Sequence, residues 1–586
     1  MAGKTSNQAA GSFALVLHGH LPYVLTHGTW PHGSDMLFEC AAESYLPLAG
    51  VFDRLVGEGL SPKVTLGITP VLAEQLSDGD FRAQFPEYLE MRARTAGENR
   101  EEFKKGKQPE AAELAEMWRK HFLSVKETFT GALGSDLVGA FRRLQDGGHI
   151  EVITSAATHG YLPLLGRDES VQAQIKQAVA SYTRHFGRPP KGFWLPECGY
   201  RPRYAWSSPL PNAGTQEPRL RKGVEEFLAE NGLQYFIVDT ATILGGAAAG
   251  VYVDRFTGLQ RLWEQFRASY KPGPVDVEKS PYEVYLAASA EEDLPPVAVF
   301  GRDERTGIQV WSGEQGYPGD GWYLDFHKKH FPGGHRYWRV TSAKSDLGSK
   351  LIYEPGRAAE RVPENADHFC GLVHELLTEH KARTGKHGVL CAPYDAELFG
   401  HWWFEGPEWL YRVIKGISVD PAVELSTCSE YLEAHVPEAA VALPESSWGQ
   451  GGFHWVWMND WTTWIWERIY RDEDEFPALA REALERGDGR LWEIVSQAAR
   501  ELLLLEASDW PFLISTWSAR DYAERRAAIH HDAFSRLLGM ARQQATGEAI
   551  SADDERFLSE CRQQDALFPE VDLAWWSRVE RPPAGS

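Results

Sequence analysis

The chain has 586 residues and a formal net charge of −23, with 43% hydrophobic and 24% charged residues. That length buries a large core and allows about four ordinary domains, fewer if one is a barrel. The acidic balance repels nucleic acid and makes a neutral substrate the easier partner. Six cysteines, at positions 40, 198, 370, 391, 428 and 561, show no CxxC spacing, so they read as reduced thiols rather than a disulfide framework or zinc knuckle. The continuous apolar run Phe13–Leu17 near the N-terminus is shorter than a signal peptide's core or a membrane span. The cytoplasm, with no membrane partner, is the expected compartment.

Short β-rich runs recur along the chain: Phe13–Leu17, Lys63–Thr69, Ile150–Ser155, Gly192–Leu195, Tyr235–Asp239, Pro296–Phe300, Gly388–Ala392 and Val423–Thr427. Amphipathic stretches such as Ser170–Phe186 and Val224–Asn231 lie between them. Strands alternating with helices predict a parallel sheet, and seven or eight of them predict a closed α/β barrel. The charged, helix-favouring stretch Ala73–Gln145 exceeds what a crossover needs and is expected as an inserted helical subdomain. Thr240–Pro295 shows little periodicity, a length of loop that is usually functional. After about Gly451 the sequence turns helical, with Trp461–Ile469, Arg490–Ala507 and Tyr522–Thr546 as helices. The expected division is a discontinuous barrel over 1–72 and 146–450, a subdomain over 73–145 and a helical domain over 451–586.

Reactive residues follow the runs: His18 and His20 the first, His159 the third, Glu197 the fourth, Arg302 the sixth and Asp395 the seventh. The C-terminal strand ends of a β/α barrel form its active-site face, so these residues are expected to converge. Trp194-Leu195-Pro196-Glu197-Cys198-Gly199-Tyr200 sets one carboxylate among aromatics, and Tyr394-Asp395-Ala396-Glu397-Leu398-Phe399-Gly400-His401-Trp402-Trp403 sets an acidic pair likewise. Two carboxylates facing each other across a sugar are what glycoside chemistry requires. Indole faces suit sugar rings, and the chain carries 22 tryptophans. The alternate histidines of His18-Gly19-His20 suit neutral imidazoles that hydrogen-bond sugar hydroxyls and the nucleophile; a second reading is a divalent-metal clamp completed by His159 or Asp239, which would make the chain a polysaccharide deacetylase. A non-catalytic glucan-binding protein is a third.

Taken in order, His18–Tyr23, Thr158–Pro163, Trp194–Tyr200, Tyr394–Pro407 and Glu445–Gly449 resemble the five motif regions of glycoside hydrolase family 57. The Glu-Cys-Gly-Tyr ending of the third resembles the family's branching-enzyme variant rather than its amylases or 4-α-glucanotransferases. The resemblance implies an incomplete (β/α)7 barrel with an inserted helical subdomain and a C-terminal all-helical domain. It also implies retaining double displacement on an α-glucan, with Glu197 as nucleophile, Asp395 as acid/base, no metal and no other cofactor. Beside the sugar-contacting His18, His20 and His159, it carries Arg302, Gly319, Trp448 and Asp509 over as substrate contacts, with Trp30 and Trp311 as an aromatic gate and Trp457 as a similar candidate. Ser280-Pro281-Tyr282-Glu283-Val284-Tyr285 resembles the family's mobile loop, making Tyr282 or Tyr285 the lid tyrosine. Gly245–Ser280 is longer than the corresponding family loop. A monomer is expected.

Overall fold

The computed structural model describes residues 9–245, 253, 256–267, 271, 274–288 and 293–580. Its strands in chain order are β1 (Gly11–Gly19), β2 (Val64–Ile68), β3 (Ile150–Ser155), β4 (Gly192–Trp194), β5 (Tyr204–Trp206), β6 (Arg219–Arg221), β7 (Tyr235–Val238), β8 (Tyr285–Ala287), β9 (Val297–Gly301), β10 (Gly388–Asp395), β11 (Val423–Leu425) and β12 (Ala440–Val441). Seven pair in parallel in the order β10-β1-β2-β3-β4-β7-β9. A single parallel bridge, Arg302 to Cys391, brings the end of β9 back beside β10. The sheet therefore curls into a seven-stranded barrel whose last seam is barely zipped.

All eight expected runs are strands, and the eighth lies outside the ring. β11 pairs only with Gly11–Phe13 of β1, ahead of the stretch that β2 takes. Burial on both faces explains the near-continuous apolar composition: every residue of β1, β2 and β9 is buried. The β5–β6 hairpin and the pair β8–β12 are too short to show in the sequence pattern. The described part of Thr240–Pro295 carries more regular structure than its sequence suggests. It contains helices Thr240–Leu244 and Thr257–Arg267 and strand β8. Only Gly258, Leu259 and Leu262 of the longer helix are buried, too few to reveal a period against a polar background.

Between β2 and β3 run helices Pro70–Ser77, Gly79–Lys105, Pro109–Glu127 and Leu137–Asp146. Proline at the first turn and aspartate caps start them: Asp78 accepts from the Asp80 amide and Asp136 from that of Gly139. The C-terminal helices Thr463–Arg486, Gly489–Leu505, Asp509–Thr516 and Arg520–Thr546 feed two apolar cores. Phe476, Leu502 and Phe534 pack with β1, β2 and the inserted helices, whereas Trp466, Ile469 and Trp510 pack with β4, β7 and β9. Polar ties hold this region to the loop after β1: Arg526 donates to the Tyr23 carbonyl at 2.7 Å, and His27 meets Asp565 at 2.6 Å.

Candidate active site

His18, His20, His159, Glu197 and Asp395 line one cavity of about 470 Å³ at the C-terminal strand ends. β1 delivers His18 and leads into His20, the turn after β3 delivers His159, β4 leads into Glu197, and Asp395 ends β10. Two of the strand-to-loop turns are left-handed at non-glycine residues, the one after β3 at His159 (φ 59°) and the one after β4 at Glu197 (φ 60°) and Cys198 (φ 50°). Such a conformation costs an L-residue roughly 1–2 kcal/mol. Local hydrogen bonds hold it, His159 N–H to Ala156 O at 3.0 Å and Cys198 N–H to Leu195 O at 2.9 Å. The Glu197 side chain is thereby turned off the strand line into the cleft.

The Glu197 carboxylate accepts from Trp448 Nε1 at 2.8 Å and from Ser508 Oγ at 3.2 Å. Burial raises its pKa to about 7, against the Trp448 hydrogen bond; Asp509 adds to the rise, and His20 and Ser508 oppose it. His20 is the cation of the site. Burial works against its charge, but Asp509, with its carboxylate 3.0 Å from Nε2, and then Glu397 and Glu197 hold its pKa above the ordinary imidazole value. His18 and His159 are pushed well below that value by burial and by the neighbouring imidazoles, so both are neutral. The rings are layered: His20 on His159 at 3.9 Å and His18 on Trp194 at 4.5 Å between centroids.

Asp395 ends β10 opposite His18 in the register. Two residues on, Glu397 accepts from the His20 backbone N–H at 2.9 Å and from the Tyr45 hydroxyl. Tyr45 closes the π-helical turn Ala41–Tyr45, whose Ser44 and Glu43 hold His401 through its backbone N–H and its Nδ1. The extra residue in that turn aims three consecutive polar side chains at the segment after Asp395, a use typical of π-bulges.

The tryptophans divide between walls and supports. Trp448 lines the cavity. Trp311 is buried at its back, edge-on to Trp448 with centroids 6.5 Å apart. Trp457 is 1% exposed and stacks on Tyr161 at 4.5 Å; contrary to expectation it is a support behind the wall. Trp30 is 71% exposed on the loop after β1 and is not among the cavity-lining residues. Arg302 also lies outside the lining, buried against Asp239 at 3.0 Å beside the barrel seam. The same pair removes Asp239 as a partner for His18 and His20. Gly319 belongs to a separate surface hollow, and a Cβ there would stand 2.1 Å from the Gly313 carbonyl oxygen. Its glycine is a backbone-packing requirement.

The lid candidates lie away from the cavity. Tyr282 donates to Asp303 at 2.8 Å and Tyr285 lies buried in β8, its hydroxyl accepting from the Ser280 amide at 2.9 Å. Tyr282 is tied to Asp303 just after β9 and Tyr285 to the Ser280 amide of its own segment, and neither lines the cavity. Residues 246–252 of the long segment lie outside the described residues.

Several lining residues had no sequence signal of their own: Met36, Glu39, Phe256, Phe326, His327, Leu513 and Ser518. Ser508 precedes Asp509 and was readable only as its neighbour. His401 and Trp402, also in the wall, sit inside the motif that carries Asp395.

His20, His159 and Asp509 each place a ligating atom within 4.8 Å of the others, a triangle able to hold a cation. Its atoms are engaged by protein partners: His20 Nε2 by Asp509, and His159 by His18 at Nε2 (3.1 Å) and Ser508 at Nδ1 (2.8 Å). A metal would have to break these contacts.

Residues 14–444 match the family model described as Glycosyl hydrolase family 57. The chain belongs to that family. Within family 57 a second match narrows the likeness: residues 468–576 fit the model of the 1,4-α-glucan branching enzyme C-terminal region. The chain is 43% identical over 562 residues to a 1,4-α-glucan branching enzyme of Thermococcus kodakarensis, covering 96% of this chain and 78% of that one. The crystal structure of that enzyme superimposes with a TM-score of 0.86 at 42% identity, covering 98% of both chains. A family 57 branching enzyme of Pyrococcus horikoshii gives 0.85 at 38% identity, again over 98% of both. An α-amylase of Thermotoga maritima follows at 0.78 and 27% identity, covering 97% of this chain and 99% of that one.

Proposed function

We propose that this family 57 chain is a 1,4-α-glucan branching enzyme. It cleaves an α-1,4 bond, holds the donor chain covalently and passes it to a 6-hydroxyl, building glycogen-like branch points. The observation that carries this reading is that the C-terminal region resembling branching enzymes places Ser508 and Asp509 beside Glu197 and His20, so it is part of the reaction site.

In the first displacement Glu197 attacks the anomeric carbon while Asp395 protonates the departing glycosidic oxygen. In the second, Asp395 takes the proton of the acceptor hydroxyl, which attacks the same carbon and releases Glu197. Two inversions retain the α configuration. Ionised Glu197 is supported by the Trp448 N–H, the Ser508 hydroxyl and the His20 cation. Transfer must outcompete water at roughly 55 M, so the intermediate needs a dry, oriented setting. Phe256, Phe326, Trp402, Phe512 and Leu513 supply apolar wall around the carboxylates. The substrate positions His18, His159, Trp448 and Asp509 form the innermost contacts, with Trp30 further out on the rim loop.

We propose a cytoplasmic monomer; its six cysteines are all free thiols, the state a reducing compartment keeps, and no described helix is long and apolar enough to cross a membrane. The test is incubation with linear amylose, then enzymatic debranching and chain-length analysis. New α-1,6 linkages are expected. The likeness to the α-amylase gives the alternative outcome, shortened linear chains without branches.

A further inference from the structure

We propose that Ser508, His159 and His18 form a directional hydrogen-bond relay that orients the Glu197 carboxylate, making Ser508 a positioning residue supplied by the C-terminal helical region. This rests on the reading of Glu197 as the nucleophile. The relay runs Glu197 Oε1 to Ser508 Oγ at 3.2 Å, Ser508 Oγ to His159 Nδ1 at 2.8 Å, and His159 Nε2 to His18 Nε2 at 3.1 Å. Ser508, His159 and His18 are all buried, at 1%, 3% and 3% exposure. The backbone clamps the joint, with Ser508 N–H donating to the His159 carbonyl at 3.0 Å and Gly160 bridged to Ala507.

Proton counting gives the chain a direction. An ionised Glu197 only accepts, so the single Ser508 proton points at it. Ser508 must then accept from His159 Nδ1–H, which leaves His159 Nε2 bare to accept from His18 Nε2–H. The chain ends on a bare His18 Nδ1, which is buried without a hydrogen-bond partner, close enough to Gly67 that a Cβ there would lie 3.2 Å away. A lone pair is tolerated in such a place. Running the relay the other way, from a protonated Glu197 Oε1, moves one proton per link and ends with an N–H on His18 Nδ1. A buried N–H without an acceptor carries the full desolvation penalty. The relay therefore favours the ionised nucleophile, and its links polarise one another in a dry site. The imidazoles and carboxylates that share the Glu197 cavity from other elements are His20 after β1, Glu39, His327, then Asp395, Glu397 and His401 at and after the end of β10, and Asp509 on the helix that Ser508 caps, besides the relay's own His18 and His159.

The test is the pH dependence of kcat/KM on amylose for Ser508→Ala and Ser508→Thr. Loss of a hydrogen bond to a charged group is expected to lower kcat/KM about tenfold on the acidic side. The acidic limb moves to higher pH, the loss fades at alkaline pH, KM changes little, and Ser508→Thr restores the wild-type profile. Independently of any folding defect in the variants, ¹⁵N spectra of wild-type histidines should show His159 as the Nδ1–H tautomer and His18 as the Nε2–H tautomer above the Glu197 titration. A Ser508→Ala loss equal at every pH, or the opposite tautomers, overturns the relay. Glu197→Gln separates the two claims: retained turnover in it rejects the nucleophile reading, whereas an inactive Glu197→Gln beside an unshifted Ser508→Ala profile rejects the relay alone.

Discussion

Trp448 grips Glu197 at both ends: its indole N–H donates to the carboxylate at 2.8 Å, and its backbone N–H donates to the Glu197 carbonyl at 3.1 Å. The left-handed turn at Glu197 is thus clamped by a residue 251 positions away in sequence, and the two act as one unit.

Trp448→Phe keeps an aromatic face and the backbone clamp but removes the donor to the carboxylate. We expect kcat/KM to fall roughly 10- to 100-fold, the worth of a hydrogen bond to a charged group. Because the Trp448 bond holds the Glu197 pKa down, the acidic limb should move to higher pH. A loss confined to KM would instead make Trp448 a sugar platform only.

Glu197→Gln should lower turnover by roughly 10³-fold or more while preserving the fold; Asp395→Ala should do likewise, with azide restoring part of the activity and giving a product of retained configuration. Near-normal turnover in either purified variant removes that residue from the mechanism. The same Glu197→Gln variant carries a stability test. The folded-state pKa of about 7 exceeds the ordinary 4.5, so between those values the unfolded chain sheds a proton the folded chain keeps, and rising pH costs stability. The glutamine variant should gain on the order of 1–3 kcal/mol at pH 8 and nothing at pH 4. Equal melting temperatures at pH 8 would contradict the raised pKa.

His20 works in the other sense. Its pKa is raised in the fold by Asp509 despite burial, so the stabilisation is fully present below the ordinary histidine pKa near 6.5 and is lost as pH rises through the folded value. Asp509→Asn should therefore lower the melting temperature most at pH 6 and least at pH 9. A difference independent of pH would mean that Asp509 acts as a neutral hydrogen-bonding group.

Exhaustive chelation should leave branching activity unchanged, because two-carboxylate displacement contains no step that calls for a Lewis acid. Elemental analysis showing one tightly held metal per chain, with activity lost on its removal, would assign the triangle of His20, His159 and Asp509 to a cation.

The eight longer runs were legible as strands from the sequence alone, since β1, β2 and β9 are buried on both faces and are therefore largely apolar. The sequence also determined which reactive residues sit at the strand ends, because chain direction in a parallel sheet puts the residue after each strand on one face. Glu197, Asp395 and the three histidines were legible on that ground. The roles of other residues were decided only by packing. Trp457 and Trp448 lie nine positions apart and both read as candidate substrate contacts, yet one stacks behind the wall on Tyr161 and the other meets the nucleophile. Tyr282 and Tyr285 looked free to reach over the cleft until Asp303 and the Ser280 amide gave them nearer partners. Ser508 gained its place from a contact with Glu197 spanning 311 residues. Local pattern encodes burial and direction, which follow from neighbours in the chain. The partner of a polar side chain depends on which distant elements close around it, and only the tertiary structure settles that.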